Sequence, residues 1–233
     1  MLRFHVVCLF FGATLTSASL TTILNQLEKA ISNTTQGERI LSDYPMVTFF
    51  GHILSGYGCW CRWDGEVFHR QGHGKAQDPL DAACKVLQHG YTCSLLDNSG
   101  NCNAMKKVYN EIPFYQIGTE LAACTINNFG DDCAIQACTI EARFINTIHD
   151  LMITDFNSLA SENLMHENFD TESNCVVKSV LPPDFSTEKE CCGDYPERSP
   201  YFPMEGKNDC CNGKVFLASS FECCADGSVQ IAC

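Results

Sequence analysis

The chain has 233 residues, with 28 acidic against 15 basic side chains and a formal charge of −13. A chain this acidic, with no Lys/Arg cluster, is repelled by nucleic acid phosphates and by strongly anionic membranes, which excludes nucleic-acid binding. Its 17 cysteines point to an oxidising compartment, and the length allows one medium domain plus a smaller module.

The chain opens on an export signal. Arg3 and His5 precede an apolar run over residues 6–15, which ends at the small residues Ser17, Ala18 and Ser19. The run is too short to span a bilayer, which takes about 20 apolar residues. Secretion as a soluble extracellular protein is expected, with residues 1–19 removed. Cys8 leaves with them, and 16 cysteines remain. That even number suits a disulfide framework better than a metal cluster, and no Cys-x-x-Cys pair occurs. One glycosylation sequon follows at Asn33-Thr34-Thr35.

Residues 20–32 set Leu20, Ile23, Leu24, Leu27 and Ile31 at helical spacing, with Asn25, Gln26, Glu28 and Lys29 opposite. Residues 44–56 are mostly apolar and lead into Tyr57-Gly58-Cys59-Trp60-Cys61. Residues 62–77 are polar and Gly-rich, hence a loop. Asp78 can then cap a helix whose first turn holds Pro79, running to about Cys93. Residues 97–101 break the chain again. A further helix is expected over about 115–127. Another starts near Asp131-Asp132, with Ile135, Cys138, Ala142, Ile145, Ile148 and Met152 on one stripe, and continues to Phe156.

From 158 to 190 the chain turns acidic and Pro-bearing, as a linker would. The tail, 191–233, carries Cys191-Cys192, Cys210-Cys211, Cys223-Cys224 and the terminal Cys233. Adjacent cysteines do not readily pair with each other, so each couple should reach in two directions and staple short β-turns. A module this small needs such staples because it buries little apolar surface. Eight cysteines lie at 59–138 and eight at 175–233, so each region can close its own framework.

The stretch Tyr57-Gly58-Cys59-Trp60-Cys61, with Asp81-Ala82-Ala83-Cys84 and Cys93, resembles secreted phospholipase A2. That family has a Tyr-Gly-Cys-Tyr-Cys-Gly calcium loop and an Asp-x-Cys-Cys-x-x-His-Asp-x-Cys helix. The specific resemblance covers about 40 residues. The di-cysteine tail resembles the repeats of galaxin-type extracellular matrix proteins over about 43 residues. The expected fold is therefore mainly α: a disulfide-stabilised, phospholipase A2-like helical domain at 20–157, a linker at 158–190, and a small Cys-rich turn/β module at 191–233.

The resemblance implies calcium held by loop carbonyls, which fall at Trp60, Arg62 and Asp64, together with a helix carboxylate. It also implies a histidine base oriented by a second acid, and a Cys61–Cys84 bridge clamping loop to helix. The letters depart from the pattern. Arg62 replaces a glycine; counted from Cys84, the histidine position holds Leu87 and the aspartate position Gln88. The candidate base is His89 and the candidate orienting acid Glu141. His69 and His73, at His-x3-His spacing beside Asp64, form a weaker zinc candidate, since their setting is a loop.

Two functions compete. One is calcium-dependent hydrolysis of the sn-2 ester at a phospholipid surface, where the first helix would touch lipid. The other is a non-catalytic extracellular role, in which the same scaffold binds lipid, another protein or a mineral matrix.

Overall fold

A computed structural model describes residues 18–32, 51, 53–63, 72–112, 118–155, 161–165, 167–176, 189–203 and 208–233. The expected export signal, the sequon, Asp64 and His69 lie outside the described residues.

The fold is disulfide-rich and mainly helical. Helix α1 spans Ala18–Ser32 and buries Ile23, Leu24, Leu27 and Ile31. Its polar face differs from expectation at Gln26. That side chain is buried and donates from Nε2 to the Tyr109 hydroxyl at 3.0 Å. The apolar stripe gave no hint of a partner 83 positions away.

Helix α2 spans Pro79–Asp97. Asp78 caps it as expected, in extended backbone, accepting from Asp81 N at 2.8 Å. The helix runs one turn past Cys93 and closes at Asn98, followed by Ser99 and Gly100 with positive φ. Helix α3, Glu120–Asn127, is short and leads through a turn into α4, Asp132–Asp155. The carboxylate at the start of α4 is Asp131, whose Oδ1 accepts from Ala134 N at 3.0 Å.

Helices α2 and α4 form the centre of the molecule, and both are buried on more than one side. A Cβ built on Gly90 would stand 2.9 Å from both γ carbons of Ile140. The absence of a side chain at Gly90 thus brings the two helices together. The core gathers Ile23, Leu27, Tyr57, Trp63, Leu87, Phe144 and Ile148 from α1, the loop, α2 and α4. A short helix α5, Thr171–Asn174, lies within the stretch expected to be a linker.

The tail consists of three antiparallel hairpins. Strands β1 (Glu190–Cys192) and β2 (Ser199–Tyr201) pair, as do β3 (Asn208–Cys211) and β4 (Lys214–Leu217), and β5 (Glu222–Cys223) and β6 (Val229–Gln230). Asn212-Gly213, both at positive φ, make the two-residue turn of the second hairpin. The adjacent cysteines do reach in two directions: Cys192–Cys210 and Cys211–Cys223 join the three hairpins in series, and Cys224–Cys233 closes across the third.

The expectation of two self-contained frameworks is corrected. Cys61–Cys84, Cys102–Cys133 and Cys124–Cys138 lie within the helical body. Cys59–Cys175 and Cys93–Cys191, however, cross from it into the second half. Even counts on each side permitted closure but did not require it. Charge reinforces the docking. Arg143 on α4 binds Glu120 at 3.0 Å and also Glu197, while Arg198 meets Asp97, the last residue of α2, at 2.6 Å. No helix among the described residues is long and apolar enough to cross a membrane.

Candidate functional site

The loop at 57–63 is tied at its neck. Tyr57 N donates to Cys61 O at 2.9 Å, and Cys61 N returns to Tyr57 O at 3.2 Å. The Cys61–Cys84 bridge implied by the resemblance is present and fixes this neck to α2. Asp81 anchors the interior. Its Oδ1 accepts from Trp60 N at 2.7 Å, and its Oδ2 from Cys59 N at 3.1 Å and Gln77 N at 2.9 Å. Gly58 sits at φ +56°, and a Cβ there would lie 2.5 Å from the Asp81 carboxyl carbon. Only glycine lets the loop close over that carboxylate. Sequence reasoning saw Asp81 as a motif letter and missed this role. Its signal was that no other acid follows it on the helix before Asp97.

Of the positions expected to hold calcium, the Trp60 carbonyl is arranged otherwise. The Trp60 carbonyl accepts from Arg62 N at 2.9 Å and also from Gln88 Nε2. Gln88 Oε1 in turn accepts from Gly72 N at 2.8 Å. A carbonyl oxygen has two lone pairs, and both are directed at protein donors here. Gln88 stands where the resemblance calls for a carboxylate, and a carboxamide brings no negative charge. Calcium favours several oxygens, carboxylates among them. The Trp60 carbonyl and the Gln88 carboxamide do not fit it.

The expected catalytic pair is not brought together. Glu141 is fully buried and accepts from the hydroxyls of Tyr91 at 2.8 Å and Tyr109 at 2.7 Å. Burial, and then the neighbouring Glu141 charge, push the Tyr109 phenol well above its ordinary range. Leu87, 1% exposed, lies one turn before Tyr91 on the same face of α2. Glu141 therefore addresses the face that carries Leu87. His89, two positions before Tyr91, points about 200° away around the helix.

His89 instead lines a cleft of about 490 Å³, together with Trp60, Gln88, Lys189, Pro200 and Phe202. Its ring meets the Trp60 ring edge-on, with centroids 4.9 Å apart. His73 lines the same cleft and is exposed. Among the described residues no three His, Cys, Asp or Glu side chains are grouped to hold a metal ion.

Burial, and then the charges of Lys85 and Lys189, lower the His89 pKa to about 4. The sign follows from linkage. Between about pH 6.5, the ordinary value for an unfolded histidine, and about pH 4, the unfolded chain binds a proton that the folded chain refuses, so stability falls as pH drops through that window. Melting temperature measured from pH 7 to 4 should fall, and His89→Gln should flatten the decline. An unchanged slope in the variant would mean that His89 titrates normally.

No family model matches the chain, and no curated protein matches it.

Proposed function

We propose that the chain is a secreted protein on a phospholipase A2-like scaffold that works by binding rather than by hydrolysis. The observation that carries this is Gln88, whose amide donates to the Trp60 carbonyl and accepts from Gly72 N. An internal hydrogen-bond lock stands where an enzyme of that family would place its metal. Leu87 and the separation of His89 from Glu141 support the same reading. General base catalysis needs a base held within reach of the proton that it takes, usually steadied by a partner. Here the acid serves two tyrosines, and the histidine faces another cleft. Eight disulfides suit an extracellular setting, and the tail's likeness to matrix repeats favours a protein or mineral partner.

The test is hydrolysis of mixed phospholipid vesicles by the oxidised chain without residues 1–19, with calcium and with chelator, beside His89→Gln. The expected result is no calcium-dependent release of sn-2 fatty acid from either protein. Release that vanishes in the variant would overturn the binding-only reading.

A further inference from the structure

The His89 cleft is walled by both halves of the chain. Trp60, Gln88 and His89 come from the loop and α2, and Pro200 and Phe202 from β2 and the position after it. It lies apart from the Leu87–Glu141 face. Its volume, about 490 Å³, falls within the range of small-molecule sites, roughly 300–1,000 Å³. Trp60 is held firmly in its wall, since a Cβ on Gly72 would press to 2.6 Å from its ring. Pro200 and Phe202, both half-buried, add apolar surface.

Most polar side chains around this surface are already engaged. Trp60 Nε1 donates to Gly74 O at 3.2 Å, and Thr92 Oγ1 donates to Gln88 O at 2.9 Å. The Gln88 carboxamide is bonded at both ends. His89 differs. Its ring is steadied edge-on against Trp60, yet among the described residues it has no hydrogen-bond partner, and neither ring nitrogen is sealed away from the cleft. Burial keeps this imidazole uncharged at neutral pH, so one nitrogen donates and the other accepts.

That pair of nitrogens sets the chemistry of the occupant. No described residue lining the cleft is acidic, so an ammonium group would find no counter-charge there. His73 and His89 are joined by no third side chain that could complete a metal site. A neutral hydroxyl fits, because it can donate to the imidazole lone pair without bringing charge. The body that carries it meets proline and phenylalanine, and a flat aromatic ring packs well on such a wall. A phenol joins the two features in one small molecule.

We propose that this cleft binds a neutral phenol, its ring against Pro200 and Phe202 and its hydroxyl donating to the imidazole of His89. The inference deepens the binding reading above and rests on it for its role.

The probes are 4-ethylphenol and its methyl ether 4-ethylanisole, titrated calorimetrically into the full oxidised chain at pH 7. The ether keeps the ring and the oxygen but has no proton to donate. The phenol should bind about five-fold more tightly, the worth of one neutral hydrogen bond. His89→Phe keeps a ring against Trp60 and removes both nitrogens, and it should reduce the preference to about twofold or less. Phe202→Ala should weaken both probes together, whereas His73→Ala should leave the preference unchanged. In the unaltered chain, the phenol and not the ether should shift the imidazole nitrogen resonances of His89, which tests the contact without any substitution. Equal binding of the two probes, a preference that survives His89→Phe, unshifted His89 resonances, or no binding at millimolar 4-ethylphenol would each overturn the proposal. The hydrolysis assay separates the two claims. Fatty acid release would overturn the binding-only reading and leave phenol binding standing, while loss of the phenol preference without release would overturn this inference alone.

Discussion

Asp81→Ala should destabilise the folded chain by about 3–5 kcal/mol, most of it from stranded backbone donors. The carboxylate takes the N–H groups of Cys59, Trp60 and Gln77, the first two fully buried. A buried donor left without an acceptor costs about 1–3 kcal/mol, and the closed loop gives water little access to these. Denaturant unfolding with the disulfides intact would measure the loss. Asp78→Ala is the useful comparison, because Asp78 caps the same helix one turn earlier and also accepts from the Tyr57 hydroxyl; a lost cap and one lost hydrogen bond, about 1 kcal/mol each, set its loss at about 2 kcal/mol. If Asp81 mattered only as an acid near a helix start, the two losses would be alike. A larger loss at Asp81 identifies it as the post around which residues 58–60 are wound. Asp81→Asn should fall between them. Its oxygen still accepts, but its NH2 is turned toward groups that also donate. A cost within about 0.5 kcal/mol, as for an ordinary surface change, would show that the loop holds itself through its bridge and neck alone.

Much of the helical frame was legible because local chemistry wrote it. Asp78-Pro79 announced the start of α2, and the spacing of Cys138, Ala142, Ile145, Ile148 and Met152 announced α4. What failed were features set by distant partners. Gln26 looks like solvent-face polarity until Tyr109 arrives beside it. Cysteine spacing cannot say that Cys59 pairs with Cys175, or Cys93 with Cys191, since any even set can close in many ways. Glu141 is indeed a special acid on α4, but its partners are tyrosines. With Tyr91 bound to Glu141, the roughly 200° between residues 89 and 91 on α2 turns His89 away from that acid. The cleft itself was beyond reach, because Lys189 and Phe202 come to His89 only through the Cys93–Cys191 bridge and the packing of β1 and β2 on α2.

Gln88→Glu should lower stability at neutral pH by about 2–4 kcal/mol, and calcium should recover part of that loss. The change is nearly isosteric and replaces one NH2 by an oxygen, so packing against the loop is kept. Gly72 N keeps its acceptor, but the Trp60 carbonyl loses a donor and gains a facing negative charge. Burial and that carbonyl should raise the pKa of the new carboxyl. The folded variant would then bind a proton more readily than its unfolded chain, and its deficit should shrink as pH falls through the raised value. Calcium acts on the same pair of oxygens from the other side. With a carboxylate beside the Trp60 carbonyl, the loop acquires the hard anionic ligand that it lacks. Melting temperature in the presence of millimolar calcium should therefore rise in the variant and stay fixed in the parent, where Gln88 and Arg62 N already occupy both lone pairs of that carbonyl. A parent that gains as much as the variant would mean that the loop takes calcium in spite of Gln88, and the hydrogen-bond lock would no longer argue for binding over hydrolysis.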